Sequence, residues 1–373
     1  MKPTTTAAAD RFFFKGLLFL LFWAPLPFGS NRPWGAALLA PLARWLGLVD
    51  RPDSRKHHIG EVPLIGGVAI FIGLLVLLPF FTGLSAELYW YLAAAGLLVV
   101  AGVLDDRFNI NIKARIVIEI MAALMMIFGS NLWVGDLGNI LIFRELHMPL
   151  WLSLPFTIIA VFGITNAWNM IDGMDGLVGT ITLIALGSFY FLTHGTALNN
   201  LLPSLLIGGT AAYLLFNLGT SRLLPKVFLG DAGSKLIGFS LVWLLIDATQ
   251  GGALTGMHLP AVLALFVVGL PLIDMVITTL RRIKKGLPVH EPDRTHIHHV
   301  LQQAGFTNQE ILLLIGVLSI QINFIGIVMY LLNWAVWAQF GIFLLITLLY
   351  FICIDNAWKL GKWLQQQNHP PQP

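Results

Sequence analysis

Apolar runs of about 20 residues recur along this chain, and they constrain its fold more than any other feature. They lie at 34–49, 62–81, 88–104, 116–131, 151–169, 177–193, 201–219, 236–250, 259–280, 310–332 and 335–354, about eleven in all. Each is long enough to be read as a spanning helix. Charge supports this, because only 11% of residues are charged and 57% are hydrophobic. A soluble domain carries about 25% charged residues. The predicted fold is an all-α polytopic membrane protein. A further run at 12–28 fits either a signal peptide or an extra span. No small-residue cleavage site follows it, so the extra span is preferred, with the N-terminus cytoplasmic. Pro25 and Pro27 also fit a re-entrant piece. The chain therefore divides into an apolar extension at 1–33, a membrane domain at 34–363 and a disordered Gln- and Pro-rich tail at 364–373. The single cysteine, Cys353, excludes an intrachain disulfide and a thiol zinc site.

Positive charge gives the orientation. Of the 22 Lys and Arg, 16 fall in 51–58, 105–115, 220–235, 281–309 and the tail from 355. By the positive-inside rule these segments face the cytoplasm. The longest outer loop, 131–150, holds Gly135 and Gly138 near a β-compatible stretch at 140–143, which suits a small hairpin.

The polar motifs share the cytoplasmic face. The segment 166–176 (NAWNMIDGMDG) places Asn166, Asn169, Asp172 and Asp175 where a membrane helix ends. Such oxygens suit Mg²⁺ and a phosphate, although the same residue types also make ordinary turns. Asp105 and Asp106 are adjacent carboxylates that repel each other unless a cation is near. Lys113 follows as a point charge for a phosphate, whereas Arg115 reads as topogenic. The segment 228–235 (FLGDAGSK) opens an apolar helix with Asp231, a metal or anion site or a plain N-cap. Phe228 suits a base stack or a core position. Arg294, His296, His298 and His299 fit a pyrophosphate cluster better than zinc, which would lack a fourth ligand. Lys56 and His58 suit either a phosphate or lipid headgroups, and the basic run at 281–285 reads as topogenic. The intramembrane carboxylates Asp247 and Asp274 keep a transporter as the runner-up.

Taken together and in this order, these motifs resemble the polyprenyl-phosphate N-acetylhexosamine-1-phosphate transferases, the MraY/WecA superfamily, from about Gly47 to Trp363. The segment 293–299 (DRTHIHH) is similar to the WecA-like branch. The resemblance implies transfer of N-acetylglucosamine-1-phosphate from UDP-N-acetylglucosamine to undecaprenyl phosphate, releasing UMP. That is the first step of O-antigen or a related polysaccharide at the bacterial inner membrane. UDP-MurNAc-pentapeptide is the alternative donor. The resemblance also implies Mg²⁺, with Mn²⁺ as a substitute, held by Asp231 and Asn169. It assigns Asp105, Asp106, Lys113, Asp172, Asp175, His296, His298 and His299 to catalysis. Arg294, Asn166, Asn217, Phe228, Lys56 and His58 go to substrate binding, with Phe228, Asn217 and Asp175 on the uridine side. Lys113 is expected to hold the lipid phosphate, while Asp105 and Asp106 position Lys113, the metal shell or the attacking oxygen. A homodimer is left open, and no nucleic-acid partner is expected.

Overall fold

A computed structural model describes residues 47–50, 61–142, 144–193, 201–219, 226–288 and 296–368, and side chains as far as Asn356. Lys56, His58, Arg294, the extension at 1–33 and residues 369–373 lie outside the described residues, while 364–368 of the tail are helical. The chain is helical almost throughout. A short antiparallel pair, β1 (Val49–Asp50) and β2 (Val62–Pro63), comes first. The helices are α1 (Gly66–Thr82), α2 (Ala86–Phe108), α3 (Ile112–Leu124), α4 (Leu150–Ile171), α5 (Leu177–Thr193), α6 (Leu201–Asn217) and α7 (Gly230–Gln250). They continue with α8 (Ala261–Val267), α9 (Gly269–Lys284), α10 (Ile297–Gln303), α11 (Asn308–Leu331) and α12 (Val336–Asn368). Five of these helices are long and apolar enough to cross a membrane, and three apolar helices are shorter.

Helix α7 is the axis of the bundle. It is apolar on every face, so it must be surrounded. Leu236, Ile237, Phe239, Leu241 and Trp243 are all buried, and α7 packs against α1, α2 and α4. Close approach to α1 depends on paired glycines: a Cβ on Gly67 would lie 2.1 Å from the Gly233 Cα. The amides of Gly66 and Gly67 donate to the carbonyls of Phe228 and Leu229 at 3.0 Å. Phe228 in turn donates to the Pro63 carbonyl at 2.9 Å. The segment leading into α7 is thus tied to the β pair and to the start of α1.

Two expectations change and one holds. The run 62–81 starts as strand, and the helix begins only at Gly66. The run 259–280 is two helices, α8 and α9, bent by 82°. Pro271, in the first turn of α9, has no N–H for the Val267 carbonyl, so the hydrogen-bond ladder is interrupted at the bend. Bending there also brings Gly269 against Ile322 of α11. The outer loop does pair back on itself. Leu137 donates to the Leu146 carbonyl at 3.0 Å and Leu146 to that of Gly138 at 2.9 Å, and an antiparallel bridge joins Leu141 to Arg144, so the expected small hairpin is present and reaches into 140–143.

Candidate active site

The N-terminus of α7 collects the polar motifs. Asp106, in the last turn of α2, accepts the Asp231 amide on Oδ1 at 3.1 Å. One helix therefore caps another, and Asp106 serves the orphan N–H groups that a helix start leaves open. Gly230 makes room for this. Its φ is +72°, and a Cβ there would lie 2.6 Å from Asp106 Oδ2. That Oδ2 is buried with no hydrogen-bond partner.

Asn169, in the last turn of α4, donates to Asp231 Oδ1 at 3.0 Å and to Ser234 Oγ at 2.9 Å. Its amide nitrogen is thereby spent, which points its carbonyl oxygen elsewhere as a ligand. Asp172 follows as the C-cap residue of α4. Burial, then the carboxylates of Asp231, Asp106 and Asp175, push its carboxyl up to about 8. Three segments thus bring four acidic groups to one place, and the charge they share is unfavourable without a cation.

Magnesium fits this donor set. Among the described residues no three His, Cys, Asp or Glu side chains form a closed metal cage. Mg²⁺ seldom uses one, because it prefers one or two carboxylates and takes the rest of its shell from water and phosphate.

The loop after α4 is braced from α6. Asn217 Oδ1 accepts the Gly176 amide at 2.6 Å, and its Nδ2 donates to the Val227 carbonyl at 3.1 Å. Asn217 is 2% exposed. It was expected at the uridine, but it holds the Asp175 loop beside the Phe228 segment instead. Lys226 pairs with Asp175 Oδ2 at 2.5 Å and lies 5.2 Å over the Phe228 ring. Asp175 and Phe228 are therefore together, with Lys226 as the member that sequence reading missed.

A second network lies alongside. Asp105 Oδ2 is 3.2 Å from Arg115 Nη1 and 3.8 Å from Lys235 Nζ. Lys235 Nζ is 3.5 Å from Glu119 Oε1, and Glu119 Oε2 accepts from Asn166 Nδ2 at 2.6 Å. Lys235 and Glu119 are buried, so two cations balance two anions inside the bundle. Asn166 was expected on the substrate, yet it donates to Glu119 and to the Phe162 carbonyl. Arg115, read as topogenic, takes the place expected for Lys113. The reason is helical phase: two positions on α3 differ by about 200°, so Lys113 points away when Arg115 faces Asp105. Lys113 is exposed, with its backbone N–H donating to the Asn111 cap. It makes no side-chain ion pair among the described residues. Sequence did carry a signal for Glu119, since Arg115 and Glu119 are spaced i,i+4 in an apolar helix.

The histidines close the other side. His298 is fully buried, and neither ring nitrogen has a partner. A Cβ on Gly173 would lie 2.3 Å from its Nε2, so the ring is pressed against the Asp172–Gly176 loop. Burial, followed by the nearby His299, lowers its pKa to about 3, which leaves it neutral. His296 stacks on it at 6.2 Å and 7°, and the His299 ring is 4.1 Å from that of His298. The two intramembrane aspartates are engaged structurally. Asp247 accepts from the amides of Leu254 and Thr255, and Asp274 holds His296. Both carboxylates are taken up by protein donors, so they no longer call for a transporter to explain them. Arg281 and Arg282, read as topogenic, are also buried, and Arg282 Nε donates to the Pro288 carbonyl at 2.8 Å.

Comparison with known proteins gives the family. The model of glycosyl transferase family 4 matches residues 88–249. A Yersinia pestis undecaprenyl-phosphate alpha-N-acetylglucosaminyl 1-phosphate transferase is 37% identical over 329 residues, 86% of this chain and 88% of that one. The chain belongs to this transferase family. A Haemophilus influenzae protein of the same name is 37% identical, covering 88% of this chain and 92% of its own. An Escherichia coli one is 36% identical over 334 residues. The family match spans α2 to α7, so in this transferase it includes the carboxylates of Asp105, Asp106, Asp172, Asp175 and Asp231.

Proposed function

We propose that this protein transfers N-acetylglucosamine-1-phosphate from UDP-N-acetylglucosamine to undecaprenyl phosphate. A phosphate oxygen of the lipid attacks the β-phosphorus of the donor. The bond from that phosphorus to the bridging oxygen breaks, and UMP leaves. Undecaprenyl-diphospho-N-acetylglucosamine remains in the bilayer, to begin O-antigen or a related polysaccharide. The observation that carries this reading is the convergence of Asp106, Asn169, Asp172 and Asp231 at one end of the membrane bundle, in a chain of this family.

Phosphoryl transfer asks for positioning and charge neutralisation more than for covalent chemistry. Mg²⁺ (or Mn²⁺), when bound, offsets the charge of the donor diphosphate. Asp231 Oδ2 and the Asn169 carbonyl are the ligands offered for it, and Asp106 holds the start of α7 so that Asp231 stays in place. Phe228, with Lys226 and Asp175, makes the uridine side. His296, His298, His299 and Arg294 take the sugar and diphosphate, and neutral His298 suits a hydrogen bond rather than a charge contact. Arg115, gripped by Asp105, and the exposed Lys113 are the cations offered to the lipid phosphate, with Lys56 and His58 at the headgroup. The distribution of Lys and Arg supports a cytoplasmic active site, as does a soluble nucleotide donor. The setting is the inner membrane of a bacterium.

The test is a membrane assay with labelled UDP-sugars, scoring UMP and lipid-linked product. UDP-N-acetylglucosamine is expected to react in a Mg²⁺-dependent way. Turnover of UDP-MurNAc-pentapeptide alone would move the chain to the other branch of the superfamily.

A further inference from the structure

Asp274 stands in the middle of α9, 3% exposed, yet three donors converge on its carboxylate. His296 Nδ1 lies 2.7 Å from Oδ2. The Ile297 amide donates to Oδ1 at 3.1 Å, and the Tyr350 hydroxyl donates to Oδ1 at 2.6 Å. These donors come from the start of α10 and from α12, so three elements meet at one buried carboxylate. Burying a carboxylate costs free energy unless hydrogen bonds satisfy it, and these do.

A helix cap alone needs only the backbone contact. His296 is the N-cap residue of α10 but makes no side-chain cap bond of its own. Asp274 caps α10 in its stead and takes the imidazole as well. A carboxylate accepts only, so the contact places a proton on Nδ1. Nε2 is then left as the free nitrogen, in the way that a carboxylate orients a histidine in metal sites and triads. The imidazole so fixed stacks in near-parallel on His298, which is pressed against Gly173 of the Asp172 loop.

We propose that Asp274, supported by Tyr350, is a positioning residue for the transfer reaction: it fixes the ring orientation and tautomer of His296 so that the Nε2 lone pair faces a hydroxyl of the donor sugar. This rests on the function proposed above. The role belongs to Asp274 acting through His296, and it ties the C-terminal helix α12 to the active site.

The test is a double-mutant cycle in full-length protein. In Asp274→Asn the side-chain oxygen can still accept the Ile297 amide, but the amide nitrogen now faces Nδ1 and forces the proton to Nε2. We expect kcat to fall about 10- to 100-fold, as for other residues that orient a functional histidine. KM for UDP-N-acetylglucosamine should stay within about threefold, because the diphosphate and uridine contacts elsewhere in the site are kept. Tyr350→Phe should cost a few-fold in kcat. In a His296→Ala background, Asp274→Asn should cost nothing further. Parent-like activity in Asp274→Asn, or an equal extra loss in the His296→Ala background, would overturn the proposal. Imidazole ¹⁵N shifts of the parent protein, assigned by difference with His296→Gln, give an answer that needs neither turnover nor a folded Asp274 variant. A protonated Nδ1 is expected, and a neutral ring protonated on Nε2 overturns the proposal. A parent protein without transferase activity would instead refute the function reading, and the ¹⁵N result would still decide the role of Asp274.

Discussion

The two ends of α7 each carry an aspartate, about 24 Å apart along the same helix. At the far end, Asp247 is buried and spends both oxygens: Oδ1 accepts the Leu254 amide at 3.1 Å and Oδ2 the Thr255 amide at 2.7 Å. At the near end, Asp231 accepts the Asn169 amide at 3.0 Å on Oδ1, and a further side-chain contact is to another carboxyl, that of Asp105. Asp106 and Asp172 crowd the same end, and Asp106 Oδ2 has no partner. Residue type and membership of one apolar helix therefore do not separate Asp231 from Asp247, although Asp247 is the more deeply buried. What separates them is how much of each carboxylate's hydrogen-bonding capacity the protein itself consumes.

The sharpest way to break this comparison is to neutralise each aspartate. Asp231→Asn should lower kcat by about 10³-fold, the scale of losing a group that compensates transition-state charge. Near-normal kcat at saturating Mg²⁺ would refute the metal assignment. Asp247→Ala should leave kcat within about threefold while costing about 1–3 kcal/mol of stability, from two unpaired amides. Thermal unfolding in detergent, beside the transfer assay, reads both.

Next comes the ion network beside the site. Lys235→Met leaves Asp105 and Glu119 in the bundle with one fewer cation. Breaking one partner of a buried ion pair costs about 3–5 kcal/mol, whereas replacing both partners is close to neutral. Lys235→Met should therefore lower the melting temperature sharply, and adding Glu119→Gln should restore most of it. If the double variant is no better than the single one, the charges are not balancing each other.

A smaller effect should appear at Asp172. Its carboxyl, pushed up to about 8, is protonated at neutral pH in the metal-free protein. A cation taken up beside it favours the ionised form, so binding releases the proton. Mg²⁺ affinity should then rise with pH, by at most about tenfold per unit, and level off above about pH 8. Asp172→Asn should flatten that slope. A titration in which the variant keeps the parent's slope would assign the proton to another group.

The smallest change concerns bracing. Asn217→Ala removes the acceptor for the Gly176 amide and the donor to Val227. The loop that carries Asp175 should loosen, raising KM for the UDP-sugar a few-fold with little change in kcat, as the loss of a positioning contact to the bound nucleotide would. An equal fall in kcat at unchanged KM would place Asn217 in the chemical step.

How much of this was legible from the chain differs from residue to residue. Asp231 and Asn169 were paired on motif alone, and the structure brings them within hydrogen-bonding distance. Asp175 and Phe228 were grouped together, and Lys226 joins them. Asn166 and Asn217 have the right composition and neighbourhood for substrate contacts, but their amides are spent on Glu119 and on loop backbone. Asp274 and Tyr350 are 76 positions apart, and no local pattern announces that they share a hydrogen bond.

By itself, the sequence determined the helical membrane class, the approximate position of most helices and the family, because apolar run length and short motif spacing are local properties. Only the tertiary structure decided that α8 and α9 are bent apart, that Arg115 rather than Lys113 grips Asp105, and that Asp247 spends both carboxylate oxygens on backbone amides. Each of those depends on which way a side chain faces and on what a distant helix places opposite it. A carboxylate's role follows from the donors around it, and in this bundle those donors arrive from helices far apart in the chain.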